Sequence, residues 1–69
     1  MKNYEVVETI STKTRKFGMI CFNSDKEMSE YLRNKREWNA GNKQYSIVAW
    51  TFTDPAEYKN LRRFGYTEM

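Results

Sequence analysis

Cys21 is the only cysteine in this chain and histidine is absent altogether. A sequence of 69 residues therefore has to hold itself together with neither an internal disulfide nor a zinc staple. A domain this short buries only about 60% of the surface it exposes when unfolded. Its stability must come from apolar packing in one unit spanning residues 1–69. The material is there, since 39% of the chain is hydrophobic and its aromatics are two tryptophans, five tyrosines and four phenylalanines. Each buried ring removes about 150–250 Å² from water.

The same two absences exclude whole classes of chemistry. Zinc fingers, Cys/His clusters and Ser–His or Cys–His nucleophilic pairs have no residues to build them. The acidic residues are scattered and no D-x-D-x-D-G loop occurs, so neither a metal nor a cofactor is expected. Glu5 and Glu8 fall on opposite faces of a strand, while Glu27 and Asp54 sit at helix starts, which leaves no carboxylate pair for general acid–base work. A chain of this size also has little room for a pocket of even about 300 Å³. The reading is non-enzymatic. Cys21, within a strand, reads as a small buried hydrophobe. The N-terminus, Met1 to Glu5, has no apolar run of the kind that opens a secretion signal. No apolar run approaches the roughly 20 residues needed to cross a bilayer. A cytoplasmic protein with no membrane partner is the expectation.

Tyr4 to Ile10 is β-branched and partly alternating, which predicts a strand, and Phe17 to Phe22 predicts a second. Polar Ser11 to Arg15 joins them as a hairpin without an Asn-Gly turn, and Gly18 marks a bulge or a close backbone approach. Ser24-Asp25-Lys26-Glu27 is a capping box opening a helix from about Asp25 to Asn39. Met28, Tyr31, Leu32 and Trp38 form its apolar stripe, and Lys26/Glu30 and Arg33/Glu37 are spaced to pair on its outer face. Gln44 to Thr53 predicts a third strand, with Val48, Trp50 and Phe52 on one face. Asp54-Pro55-Ala56-Glu57 starts a short second helix whose Tyr58, Leu61 and Phe64 share a side, and Gly65 fits the left-handed position that ends it, with Tyr66 folding back toward Leu61.

The order β-β-α-β-α predicts an α+β domain: a single-layer, three-stranded antiparallel sheet, preferably in order 2-1-3, with two helices on one face. On that reading Met28, Tyr31, Leu32, Trp38, Leu61 and Phe64 pack on Val6, Ile20, Phe22, Val48, Trp50 and Phe52. The reverse face is left open and carries Phe17, Tyr45, Met19, Cys21 and Ile47.

Basic residues outnumber acidic ones, 12 to 9, for a net charge of +3. They gather as Lys13, Arg15 and Lys16 at the hairpin, Arg33, Lys35 and Arg36 on the first helix, and Lys59, Arg62 and Arg63 on the second. Glutamates interleave the first-helix group, which reads as a solvated face. The hairpin group has no acid close by in sequence and the second-helix group sets three cations on one face, so both mark an acidic partner. Lys13, Arg15, Lys16, Phe17, Tyr45, Lys59, Arg62 and Arg63 are accordingly the candidate partner-binding residues. The expected function is a small interaction protein that binds and modulates an acidic macromolecule, foremost a protein; the open sheet face would also admit a homodimer. The alternative is a nucleic-acid module working through the hairpin and the second helix, with bases stacked on Phe17 and Tyr45. Lys16-Phe17-Gly18-Met19-Ile20 echoes an RNP segment only loosely. In size and in its lysine and asparagine content the chain resembles small accessory or host-modulating proteins of mobile elements and viruses.

Overall fold

Alternating β-branched and aromatic residues place Lys2–Thr9 in β1 and Arg15–Phe22 in β2 of the computed structural model, which describes residues 1–69. The two pair antiparallel without a bulge from Lys2↔Phe22 to Thr9↔Arg15. Ser11 does the work of the missing Asn-Gly: its Oγ accepts from the Lys13 and Thr14 amides at 3.3 and 3.1 Å. The Ile10 amide closes the loop on the Thr14 carbonyl at 2.9 Å. Helix α1 (Asp25–Trp38) starts where expected, with the Glu27 amide donating to Ser24 Oγ at 3.2 Å. Strand β3 (Ser46–Thr51), helix α2 (Ala56–Arg63) and a two-residue β4 (Thr67–Glu68) complete the chain.

The sheet is four-stranded and mixed, in order β3-β1-β2-β4, with β1 antiparallel to both neighbours and β4 parallel to β2. The α+β class and the arrangement of the first three strands agree with expectation; the fourth strand does not. It adds a parallel edge through Lys16↔Thr67 and Phe17↔Glu68, and the Met69 amide reaches the Phe17 carbonyl at 2.7 Å. Gly18 makes room for it, since a Cβ there would lie 3.2 Å from that of Met69. Gly18 is thus a close approach and not a bulge.

Strand β4 also changes where the helices go. The β2–α1–β3 crossover steps over β1 in one direction, and β3–α2–β4 steps back over β1 and β2 in the other. Two crossovers of the same hand that step in opposite directions must lie on opposite faces of the sheet. The prediction of both helices on one face is therefore overturned. Helix α1 covers Tyr4, Val6, Phe22 and Ile47 with Leu32, flanked by Met28, Tyr31, Ile20, Tyr45 and Ala49. Helix α2 lies over the reverse face, where the Tyr58 ring stands edge-on to Phe17 at 5.0 Å and against Phe52 at 5.4 Å.

The expected core is corrected at several positions by this geometry. Ile47 and Ala49, and not Val48 and Trp50, face α1, because the register sets them beside Glu8 and Val6. Trp38 is 90% exposed and Phe64 69% exposed. With 3.6 residues per turn, Trp38 lies roughly 120° around the helix from Leu32, and the half-buried Lys35 takes the next inward position. Cys21, expected to be buried, is exposed on the reverse face. The outer-face pairs Lys26/Glu30 and Arg33/Glu37 do not close; the two ion pairs of the molecule are Lys2–Asp25 and Arg62–Glu68.

Both helix ends follow local rules. Asp54 Oδ1 accepts from the Ala56 amide at 2.9 Å and so caps α2 from just outside it. At the far end Gly65 has φ 87°, the Gly65 amide donates to the Arg62 carbonyl at 3.2 Å and the Tyr66 amide to Leu61 at 3.0 Å, a Schellman closure. At the outer edge of the sheet the Phe52 amide donates inward to the Asn3 carbonyl. By alternation, Ile47, Ala49 and Thr51 turn their backbone groups outward. Arg36 of α1 reaches round this edge and donates to the Ile47 carbonyl at 3.0 Å.

Candidate functional site

Two of the three basic groups reach the last segment of the chain, each through one arginine. The Schellman closure returns the chain from α2 to the start of β2, and Arg15 stacks its guanidinium over the Tyr66 ring at 5.1 Å. The nearest atom to a Cβ built on Gly65 is an Arg15 nitrogen, at 3.4 Å. Lys16 is in register with Thr67 and Arg62 is bonded to Glu68 at 2.5 Å. Lys16, Arg62 and Arg63 are all exposed and Arg15 half-exposed. Lys13 projects from the hairpin turn two residues before Arg15, and Lys59 lies one turn before Arg63 on α2, both exposed.

Tyr66 and Glu68 bring Arg15 and Arg62 to the β4 segment, where Glu68 is the one carboxylate that pairs with any of these cations. By alternation Lys16, beside Glu8 in the ladder, points to the α1 side and away from α2. Glu8, across the ladder from Lys16, is buried and instead accepts from the Tyr45 hydroxyl at 2.6 Å. Arg15 and Arg62 are held by Tyr66 and Glu68, whereas Lys13, Lys16, Lys59 and Arg63 form no ion pair.

Phe17 and Tyr45, the two aromatic candidates, do not belong to this surface. Phe17 is fully buried under α2. Tyr45 is half-buried on the α1 side, and its hydroxyl is pushed above its ordinary range by burial and by its bond to Glu8. Sequence parity put them on a common open face, but the register sets Phe17 against Val7 and Ile47 against Glu8, on opposite sides of β1. What remains open on the reverse face is a margin of Met19, Cys21, Val48 and Trp50. The residue missed was Phe64. Expected in the core, it stands exposed beside Arg63 at the helix end, and the signal was its place directly before Gly65, where the helical stripe stops.

A third feature lies under α2. Glu5, on the central strand, is fully buried, and its Oε2 accepts from Trp50 Nε1 at 2.9 Å. The same N–H also points to Glu57 Oε2 at 3.2 Å. Glu5 Oε1 and Tyr58 Oη are buried with no hydrogen-bond partner. Burial first, and then the neighbouring Glu57 carboxyl, push Glu5 up to about 7, against a smaller opposite pull from Trp50. Tyr58 is raised by burial and by the charges of Glu5 and Glu68.

On α1, Tyr31, Asn34, Lys35 and Trp38 line a shallow open groove of about 340 Å³, with the Lys35 ammonium 5.7 Å from the centre of the Tyr31 ring. Its walls come from one helix, so it is a dent in a surface and not an enclosing pocket. No group of three or more metal-ligating side chains occurs, and no helix is long and apolar enough to cross a membrane. No family model, curated protein or solved structure matches the chain.

Proposed function

We propose that this chain is a small non-enzymatic interaction protein that docks on an acidic surface of another protein and modulates it. The observation that carries the reading is the cationic corner, in which Arg15 of the hairpin and Arg62 of α2, far apart in sequence, both reach the β4 segment with Glu68 as the one paired carboxylate, and their sequence neighbours Lys13, Lys16, Lys59 and Arg63 form no ion pair. An uncompensated patch of one sign steers an oppositely charged partner and raises its encounter rate. Phe64 adds an exposed aromatic beside arginines, the composition in which interface energy concentrates. A cytoplasmic setting goes with this reading, as Cys21 is an exposed free thiol.

The nucleic-acid alternative keeps its cations but loses the stacking platform, because Phe17 is buried and Tyr45 faces the α1 side. The experiment compares the wild type with a variant in which Lys13, Lys16, Lys59 and Arg63 become alanine. Arg15 and Arg62 are spared because they brace β4. Capture of one defined protein with an acidic surface from the native host, lost in the variant, supports the proposal. Binding of the wild type to an arbitrary DNA or RNA oligonucleotide with a steep inverse dependence on salt would replace it with the alternative. Equal capture of one protein by both forms would remove the corner from the account.

A further inference from the structure

One N–H cannot satisfy two carboxylates. Trp50 Nε1 lies 2.9 Å from Glu5 Oε2 and 3.2 Å from Glu57 Oε2, Glu5 is fully buried, and its second oxygen has no partner. The groups facing Glu5 are few. Strand β2 offers Met19 opposite it in the ladder, β3 offers Trp50, and α2 offers Glu57 and Tyr58. Glu68 of β4 acts on Tyr58 and is itself bonded to Arg62. No lysine or arginine acts on Glu5. With both carboxyls ionised, two negative charges would therefore share one neutral donor, Glu5 fully buried and Glu57 half-buried beside a part-exposed Trp50. With one proton between them, one carboxyl can donate to the other and the like-charge repulsion is removed.

We propose that the Glu5–Trp50–Glu57 junction is a proton-operated latch that holds α2 and β4 on the sheet when one carboxyl is protonated and lets them lift when both are ionised. The device sits where the topology makes it effective. Beside this junction α2 has no fully buried residue: the Tyr58 ring rests on Phe17 and Phe52 and Leu61 is half-buried, and β4 has only two paired residues. Lifting would hydrate Glu5, uncover Phe17 and dismantle the corner, because Arg62, Arg63, Phe64 and Tyr66 belong to the moving segment. The latch thus ties the cationic surface to proton concentration. It holds as a conformational device whether or not that surface binds an acidic protein.

The sign follows from the direction of the perturbation. A buried carboxyl raised to about 7 in the closed form and returned to its ordinary value near 4.5 in the open one favours closure fully below pH 4.5. That preference declines across pH 4.5–7 and is constant above. Over that window the open form gains on the order of 100-fold relative to the closed form.

The test is amide hydrogen exchange from pH 4.5 to 8, comparing the wild type with Glu5→Gln residue by residue, so that the intrinsic pH dependence of exchange cancels. Trp50 fluorescence is followed in parallel in a Trp38→Phe background. The expected result is a wild-type to variant ratio at Met69 and the α2 amides that climbs on the order of 100-fold with pH while the ratio at β1 stays flat. Glu57→Gln, which removes one of the two charges, should show a smaller climb. If Glu5→Gln does not fold, the Glu57→Gln comparison carries the test alone. A ratio at Met69 that stays flat with pH overturns the latch. So does a Trp50 response without any change at Met69, which would mean that Glu57 merely swings out, and so does an equal climb at β1, which would mean that the whole fold opens.

Discussion

Two tyrosines in this molecule should respond in opposite directions to the same substitution. Tyr58 and Tyr45 are both half-buried, both lean on aromatic or apolar neighbours, and both have hydroxyls pushed toward higher pKa by burial. The Tyr58 hydroxyl has no partner, whereas that of Tyr45 donates to the buried Glu8 carboxylate at 2.6 Å. Changing Tyr58 to Phe keeps the ring on Phe17 and Phe52 and removes a buried, unsatisfied oxygen whose desolvation costs about 1–3 kcal/mol. The expected gain is about 1 kcal/mol, since Phe loses little else. Changing Tyr45 to Phe removes a hydrogen bond to a charged group, worth about 1.5–3 kcal/mol, and leaves Glu8 without its donor. The expected loss is about 2 kcal/mol. In a domain of this size 1 kcal/mol moves the melting temperature by about 4–8 °C, so the two variants should melt on the order of 10 °C apart or more. Urea titration followed by tryptophan fluorescence measures both, and the slope m should match the wild type in each, which keeps the comparison one of stability alone. A Tyr58→Phe variant destabilised by as much as Tyr45→Phe would refute the reasoning, because it would show that the Tyr58 hydroxyl has a favourable partner.

Three further outcomes are expected. The Tyr4 hydroxyl, and after it Lys2, hold the Asp25 carboxyl below its ordinary value; the associated stability is present above pH 3.8 and is lost as pH falls through the lowered value. Tyr4→Phe should therefore shift acid unfolding, followed by circular dichroism, to higher pH. Gly18→Ala sets a Cβ 3.2 Å from that of Met69 and should loosen β4 at a cost of about 1 kcal/mol. Met69→Gly should cancel most of that cost in a double-mutant cycle, whereas additive losses would place the strain elsewhere. Trp38 is 90% exposed, so Trp38→Ser should leave stability within about 0.5 kcal/mol of the wild type, and a larger loss in urea titration would contradict its exposure.

What was legible in the sequence was what local chemistry decides. Ser24 and Glu27 mark the start of α1 because an orphan amide at a helix start needs a side-chain acceptor, and Gly65 marks the end of α2 because only glycine enters the left-handed region without strain. The alternation in Tyr4 to Ile10 came through for the same reason, whereas the order 2-1-3, which the sheet bears out, rested on a preference for longer, mixed-face strands at the centre and not on local chemistry. Strand β4 could not be read, since Thr67 and Glu68 have no pattern of their own and exist as a strand only against Lys16 and Phe17. With β4 missing there was no second crossover, so nothing sent α2 to the other face. That omission left Phe17 on an open surface. The faces of β3 were ambiguous because Ile47, Val48, Ala49 and Trp50 are all apolar, and period two selects between them only when one set is polar. The cationic corner was half legible: its residues could be named from their runs, but that Arg15 and Arg62 both reach the β4 segment depends on the turn at Gly65 and Tyr66. The Glu5–Glu57 junction joins residues on different elements and gave no sequence signal.

The outward carbonyl of Ile47 has a consequence for how the molecule behaves in crowds. Between Ser46 and Thr51 the exposed rim of the sheet carries no charged residue of its own, and such a rim is a template on which further chains can add. The one ionic group standing on it is borrowed from a helix, the guanidinium of Arg36. Replacing Arg36 with Met would strip that guard without touching the core, and concentrated solutions of the variant would gain a route to ordered polymers that the parent denies them.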